Sequence, residues 1–142
     1  MIIKSVLVSN YRSLFNETLN CDSLTALVGP NGAGKSSFLR AVELFYSSSP
    51  PITREDFYNH DTNRDIEIAI TFTALVPKEI ARFSSRMQGD DLLVMRVLTV
   101  GGAKSSGKYY GFRLRNPEFD AVHALTGRDL LNAYKGLNDE KG

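Results

Sequence analysis

The fold is decided by residues 29–36, whose sequence is Gly-Pro-Asn-Gly-Ala-Gly-Lys-Ser. A glycine, four residues of any kind and then Gly-Lys-Ser form the pattern of a phosphate-binding loop, or P-loop. The apolar run at residues 24–28 predicts a buried strand before the loop, and the apolar spacing of residues 36–46 predicts an amphipathic helix after it. A strand, loop and helix in this order favour phosphate binding over the alternative, a chance match in a glycine-rich turn.

Several positions of the P-loop have a definite physical role in holding a triphosphate. Gly32 and Gly34 lack a β-carbon, so the backbone can adopt positive φ and turn its N–H groups inward around the β-phosphate. The helix that begins near Lys35 adds the positive end of its dipole. Lys35 places a cation between the β- and γ-phosphates, and Ser36 offers its hydroxyl to Mg²⁺. The expected ligands are therefore ATP and Mg²⁺, with Lys35 as the catalytic residue and Ser36 as the metal ligand.

The bulk composition sets few limits on function. The chain has 142 residues, enough for one domain with a core, and a formal net charge of +1 that gives no argument for nucleic acid or membrane binding. A single cysteine excludes an internal disulfide framework. No apolar run reaches the length of a membrane span, and the N-terminus is too short and interrupted for a secretory signal. A cytoplasmic protein without a membrane partner is expected.

Outside the P-loop, alternating apolar residues predict an antiparallel β-region. The expected strands are residues 2–8, 15–19, 65–75, 92–100 and 109–114, with a flexible hairpin tip at residues 101–107. Further helices are expected at residues 77–87 and 126–137. No repeat or linker divides the chain. The predicted fold class is α/β, with a P-loop helix and an antiparallel β-subdomain.

Three segments resemble the ABC-type ATPases of the SMC and RecF group. They are Gly-Pro-Asn-Gly-Ala-Gly-Lys-Ser-Ser at residues 29–37, Val-Ser-Asn-Tyr-Arg-Ser-Leu at residues 8–14 and Phe-Leu-Arg-Ala-Val at residues 38–42. Within this group the chain is most similar to the N-terminal ATPase region of the OLD-family ATP-dependent endonucleases, including the Gabija anti-phage type. Those proteins place a loop like Ile-Thr-Arg-Glu-Asp-Phe, here residues 52–57, before an alternating strand.

The resemblance implies roles for individual residues. It implies that Arg12 and Ser13 lie in a turn that reaches the nucleotide. The alternative that stays open for Arg12 is a surface arginine that caps a strand end. The residues it assigns to phosphate and magnesium binding are Asn31, Gly32, Ala33, Gly34, Lys35, Ser36 and Ser37.

Other family elements are absent from the sequence. The Walker B strand, an apolar run followed by acidic residues that hold Mg²⁺ and aim the attacking water, has no match, because residues 92–95 are followed by Arg96 and preceded by Asp90 and Asp91. The Leu-Ser-Gly-Gly signature, the switch histidine and the Toprim carboxylates are also missing, and Gln88 precedes the hairpin and is not accepted as the Q-loop residue. Residues 1–142 are therefore expected to be the first lobe of an incomplete ABC/SMC-like ATPase domain. This lobe is expected to bind ATP without hydrolysing it alone.

The resemblance also implies a role for a longer protein. In that protein, two ATPase heads would form a homodimer around ATP, and DNA would be the substrate of an endonuclease in DNA repair or anti-phage defence. Two alternatives stay open: an SMC/RecF-like DNA-repair head that clamps DNA without cutting it, and a non-catalytic regulatory or dimerisation module. A GTPase or small-molecule kinase is disfavoured because the sequence has no Asn-Lys-x-Asp base-reading motif.

Overall fold

A computed structural model describes residues 1–101 and 104–112. The strands are β1 (Ile2–Tyr11), β2 (Leu14–Asn20), β3 (Ile66–Thr73), β4 (Met87–Gln88), β5 (Asp91–Gly101) and β6 (Lys104–Gly111). The α-helices are α1 (Lys35–Tyr46) and α2 (Pro77–Phe83), and short 3₁₀ turns occur at Arg54–Asp56, Tyr58–His60 and Ser84–Arg86. The described residues thus form a mixed α/β fold, as predicted.

The strands form one six-stranded antiparallel sheet. Its order is β2-β1-β3-β5-β4, and β6 pairs with β5 as well. Val8 lies opposite Ile68, and Ile68 lies opposite Arg96, so these side chains share one face of the sheet. The predicted antiparallel region is confirmed.

The hydrophobic core lies between this face of the sheet and helix α1. Alternate residues of the central strands, such as Val8 and Ile68, are fully buried there. Helix α1 packs on them through Ala41, Leu44 and Phe45. Burying a large apolar side chain stabilises a fold by roughly 1.5–3 kcal/mol. The core therefore fixes α1, and with it the P-loop, on the sheet.

The C-terminal end of α1 is held by Arg96, whose relative exposure is 2%. Its Nη1 donates hydrogen bonds to the carbonyl oxygens of Leu44 at 2.5 Å and Phe45 at 2.8 Å. The guanidinium also lies 4.7 Å from the centroid of the Tyr109 ring, and the Tyr109 hydroxyl donates to the Phe45 carbonyl. A buried cation thus donates to two carbonyls of the last helical turn, at the negative end of the helix dipole; the Leu44 carbonyl also accepts the Ser47 N–H at 3.3 Å.

The predicted strand at residues 24–28 is wrong for this structure. The segment has no regular secondary structure, and Leu24 and Val28 are 89% and 93% exposed. After Asn20 the chain leaves the sheet, and no described strand pairs with this segment. An apolar run reports hydrophobicity, whereas a strand also requires a neighbour for its backbone hydrogen bonds. The sequence pattern contains no information about that neighbour.

Other predicted boundaries need smaller corrections. The helix expected at residues 77–87 ends at Phe83, and Met87 belongs to β4. Ser84 and Ser85, which are poorer helix formers than alanine or leucine, follow that end. The expected flexible tip is also too long, because strand pairing continues to Gly101 opposite Lys104. The helix expected at residues 126–137 and the end of the strand expected at residues 109–114 lie outside the described residues.

Within residues 1–101 and 104–112, no helix is both long and apolar enough to cross a membrane.

Candidate functional site

The P-loop closes on the N-terminus of α1 through two glycines with left-handed backbone conformations. Gly32 has φ 86° and Gly34 has φ 87°, as the sequence predicted for both. Gly34 is the N-cap of α1, and its carbonyl accepts the N–H of Phe38 at 3.0 Å. The first turn of α1 contains no acidic side chain, so its positive dipole end is not neutralised from within the helix. This end of the helix is electrostatically suited to an anion.

The ammonium group of Lys35 folds back over the P-loop. Its Nζ donates to the carbonyl oxygen of Gly29 and, at 2.6 Å, to that of Pro30. The Pro30 carbonyl also accepts the N–H of Ala33 at 3.3 Å. The lysine is therefore held within the loop by neutral acceptors, close to the helix N-terminus.

The turn between β1 and β2 packs directly against the P-loop. The Ser13 and Ser37 hydroxyl oxygens are 3.5 Å apart. A β-carbon added at Gly34 would lie 2.8 Å from Cδ2 of Leu14, so only glycine allows the turn to approach this closely. Two segments separated in sequence are thereby joined at the start of α1.

A cleft of about 480 Å³ lies between the turn and the loop. This volume is within the range of small-molecule sites. Among the residues that the structure describes, no carboxylate lines the cleft. Its lining residues are Arg12, Ser13, Asn31, Gly32, Gly34, Lys35, Ser36 and Ser37. The cleft therefore brings together all of the predicted site residues except Ala33, and its charged lining side chains are both cations.

Asp56 is a neighbour of this cleft that the sequence analysis did not identify. Its carboxylate Oδ1 accepts a hydrogen bond from Arg12 Nε at 3.0 Å, and its main-chain carbonyl accepts the Arg12 N–H at 2.7 Å. An isolated bridge between Tyr11 and Phe57 brings the loop that carries Asp56 to the end of β1. Residues 52–57 were noted only as part of a family resemblance, and no sequence spacing links Asp56 to Arg12.

The side chains present fit magnesium only as a partner of a nucleotide. The described residues contain no group of three or more His, Cys, Asp or Glu side chains that could hold a metal ion. Ser36 is exposed, lines the cleft and can supply one hard oxygen ligand. Mg²⁺ commonly takes its remaining ligands from phosphates and water. The donor set thus suits Mg²⁺ bound to ATP and does not suit Mg²⁺ alone.

Comparison with known proteins shows which family the chain resembles. The family model described as an AAA ATPase domain matches residues 1–130. The OLD nuclease of Thermus scotoductus is 43% identical over 76 residues, which are 50% of this chain and 14% of that protein. Endonuclease GajA of Bacillus cereus is 27% identical over 74 residues, 50% of this chain and 13% of that protein. The resemblance to the N-terminal ATPase region of OLD-family proteins is thereby confirmed, and the matches span about one seventh of these relatives.

Proposed function

The chain belongs to the AAA ATPase domain family, and we propose that it binds ATP with Mg²⁺ in the cleft between the P-loop and the β1–β2 turn. The observation that carries this proposal is the cleft itself. Lys35, Arg12 and the N-terminus of α1 converge on a space that no described carboxylate lines. A polyanion gains from all three groups, whereas a cation or an apolar ligand does not.

The residues have separate roles in this proposal. The N–H groups of residues 31–37 donate to the phosphates, apart from that of Ala33, which donates to the Pro30 carbonyl. Lys35 exchanges its loop carbonyls for phosphate oxygens. Ser36 supplies a hydroxyl to the nucleotide-bound Mg²⁺, and Arg12 contacts the triphosphate from the opposite wall of the cleft. When bound, Mg²⁺ would neutralise part of the phosphate charge.

We propose that this chain does not hydrolyse ATP by itself. Hydrolysis requires a group that orients the attacking water, and in P-loop enzymes an acidic residue also holds the metal. Within the described part of the chain, the cleft lining contains no carboxylate, and the nearby Asp56 is engaged by Arg12. In this proposal the chain contains the groups that bind ATP but not those that hydrolyse it.

For a longer protein that contains this region, we propose the activity of an OLD-type ATP-dependent DNA endonuclease that works as a homodimer of ATPase heads. The names of the two relatives, a nuclease and an endonuclease, support this over an SMC/RecF-like head that does not cut DNA. The alternative from another class is a non-catalytic regulatory or dimerisation module that keeps the fold, and complete loss of nucleotide binding in calorimetry would favour it.

The test is a titration of the purified protein with a fluorescent ATP analogue in the presence of Mg²⁺. Lys35→Ala removes a charged donor to the phosphates, which is worth about 1.5–3 kcal/mol, and should weaken binding about 10- to 100-fold. Arg82→Ala, which removes an exposed cation that stacks over Phe83 on α2, is the control and should bind as the wild type does. Phosphate release in the same samples should stay at background.

Two results would contradict the proposal. Equal affinity of the wild type and Lys35→Ala would exclude the P-loop as the binding site. Steady phosphate release that disappears in Lys35→Ala would show that the chain does hydrolyse ATP.

A further inference from the structure

We propose that Asp56 is a positioning residue of this site, which holds the Arg12 guanidinium in the orientation that meets the bound triphosphate. This inference rests on the proposed ATP binding and extends it to a residue outside the cleft. Asp56 is nearly buried, with 9% relative exposure, and is absent from the cleft lining. It can therefore act on the ligand only through a neighbour.

Arg12 is held by Asp56 at two points. The main-chain N–H of Arg12 donates to the Asp56 carbonyl at 2.7 Å, and Nε donates to Oδ1 at 3.0 Å. The first bond fixes a backbone with φ 51°, a conformation that costs energy for a residue with a β-carbon. The second holds the side chain through Nε, the guanidinium nitrogen nearest to the main chain. The Arg12 side chain held in this way is one of those that line the cleft.

Asp56 is itself held rigidly by its own loop. Its second oxygen, Oδ2, accepts the N–H of Thr53 at 3.0 Å and the Thr53 hydroxyl at 3.4 Å. The two carboxylate oxygens therefore face different partners, Oδ1 toward Arg12 and Oδ2 toward Thr53. This division makes Asp56 a link between a fixed loop and a long, flexible side chain.

Orientation, rather than stability, is the effect expected from this ion pair. The Arg12 side chain is 45% exposed, so solvent screens much of its attraction to Asp56. An arginine has many rotamers, and a ligand that must select one of them binds more weakly than a ligand that finds the arginine already placed. Asp56 removes that cost before ATP arrives.

The experiment is a double-mutant cycle on ATP affinity, measured by titration of the purified protein with a fluorescent ATP analogue and Mg²⁺. Asp56→Asn keeps the shape of the side chain and an oxygen for Thr53, but it loses the charge that holds Arg12. It should weaken binding about three- to tenfold, as expected for the loss of one pre-ordered side chain. In an Arg12→Ala background the same substitution should change nothing, because the residue through which it acts is gone.

Two further variants separate positioning from folding. Thr53→Val removes a hydroxyl bond from the other side of the Asp56 carboxylate and should leave ATP affinity within about twofold. Arg12→Lys keeps the positive charge but lacks the fork that can bond Asp56 and a phosphate together. It should bind ATP more weakly than the wild type.

Several outcomes would overturn the inference alone. Unchanged affinity in a folded Asp56→Asn protein, an equal loss in the Arg12→Ala background, or full affinity in Arg12→Lys would each show that Asp56 does not act by orienting Arg12. In all three cases ATP binding that depends on Lys35 would persist. Loss of the Lys35 dependence itself would instead contradict the proposed function.

Discussion

Gly32 and Gly34 share a backbone conformation but differ in their surroundings. Their φ angles are 86° and 87°, in the left-handed region that disfavours side chains. A β-carbon at Gly32 would meet nothing within 4 Å, whereas one at Gly34 would lie 2.8 Å from Cδ2 of Leu14. Comparing substitutions at these two glycines therefore distinguishes the cost of a strained φ from the cost of a clash with Leu14.

Gly34→Ala should be more damaging than Gly32→Ala. Each substitution carries about 1–2 kcal/mol for a left-handed backbone. Gly34→Ala must also displace the buried Leu14 side chain, which lies in the turn beside Arg12 and Ser13. Urea unfolding should show a larger loss of stability for Gly34→Ala, and nucleotide titration should show a larger loss of affinity. Equal losses in both assays would show that the contact with Leu14 is unimportant.

At the scale of the element, helix α1 connects the cleft to the strand pair β5–β6. Its N-terminus faces the cleft, and its C-terminus is fixed by Arg96 from β5 and by Tyr109 from β6. Gly107 makes room for this arrangement, because a β-carbon there would lie 2.8 Å from Arg96 Nε. The position of the P-loop helix thus depends on a strand pair far from it in sequence.

Arg96→Met should destabilise the protein by about 2–4 kcal/mol. Methionine replaces part of the volume but cannot donate to the carbonyls of Leu44 and Phe45, which keep only the Ser47 N–H and the Tyr109 hydroxyl as donors. The control is Arg82→Ala, whose exposed arginine should contribute less than about 0.5 kcal/mol. Both values come from urea unfolding, and an Arg96→Met protein as stable as the control would contradict the anchoring role.

The elements show what sequence patterns can and cannot predict. Alternation in β3 and the helical spacing in α1 were sufficient, because in both elements the apolar residues at that spacing form the face that packs into the core. Residues 24–28 failed because pairing depends on a partner that no local pattern reveals. Asp56 was missed for a similar reason, since its contact with Arg12 spans 44 positions and arises from the tertiary fold.

At the scale of the whole molecule, the sheet carries a buried acid on the face away from the α1 core. Glu67 is 5% exposed and lies between Ser9 on β1 and Val97 on β5. Burial raises the pKa of its carboxyl from 4.5 to about 7, and the nearby Arg64 opposes that rise only in part. The overall stability of the protein should therefore depend on pH between 4.5 and about 7.

The direction of this dependence follows from proton binding. Between pH 4.5 and 7 the folded protein keeps a proton on Glu67 that the unfolded chain has lost, so the free energy of unfolding falls as pH rises through this window. The loss across this window should be at most about 3 kcal/mol. Glu67→Gln should flatten the profile in urea unfolding, whereas Glu17→Gln on exposed β2 should not. An unchanged slope in Glu67→Gln would assign the effect elsewhere.

The two hydrogen bonds from Lys35 to loop carbonyls determine the energetics of ligand binding. The ammonium already donates to the carbonyl oxygens of Gly29 and Pro30, so a phosphate must displace these acceptors to bind it. Hydrogen bonds are exchanged nearly one for one, and the advantage of the ligand is the difference between an anionic and a neutral oxygen. That advantage is Coulombic at a site open to water, and dissolved ions screen it. The affinity of the loop for the proposed ATP ligand should consequently fall as the ionic strength rises.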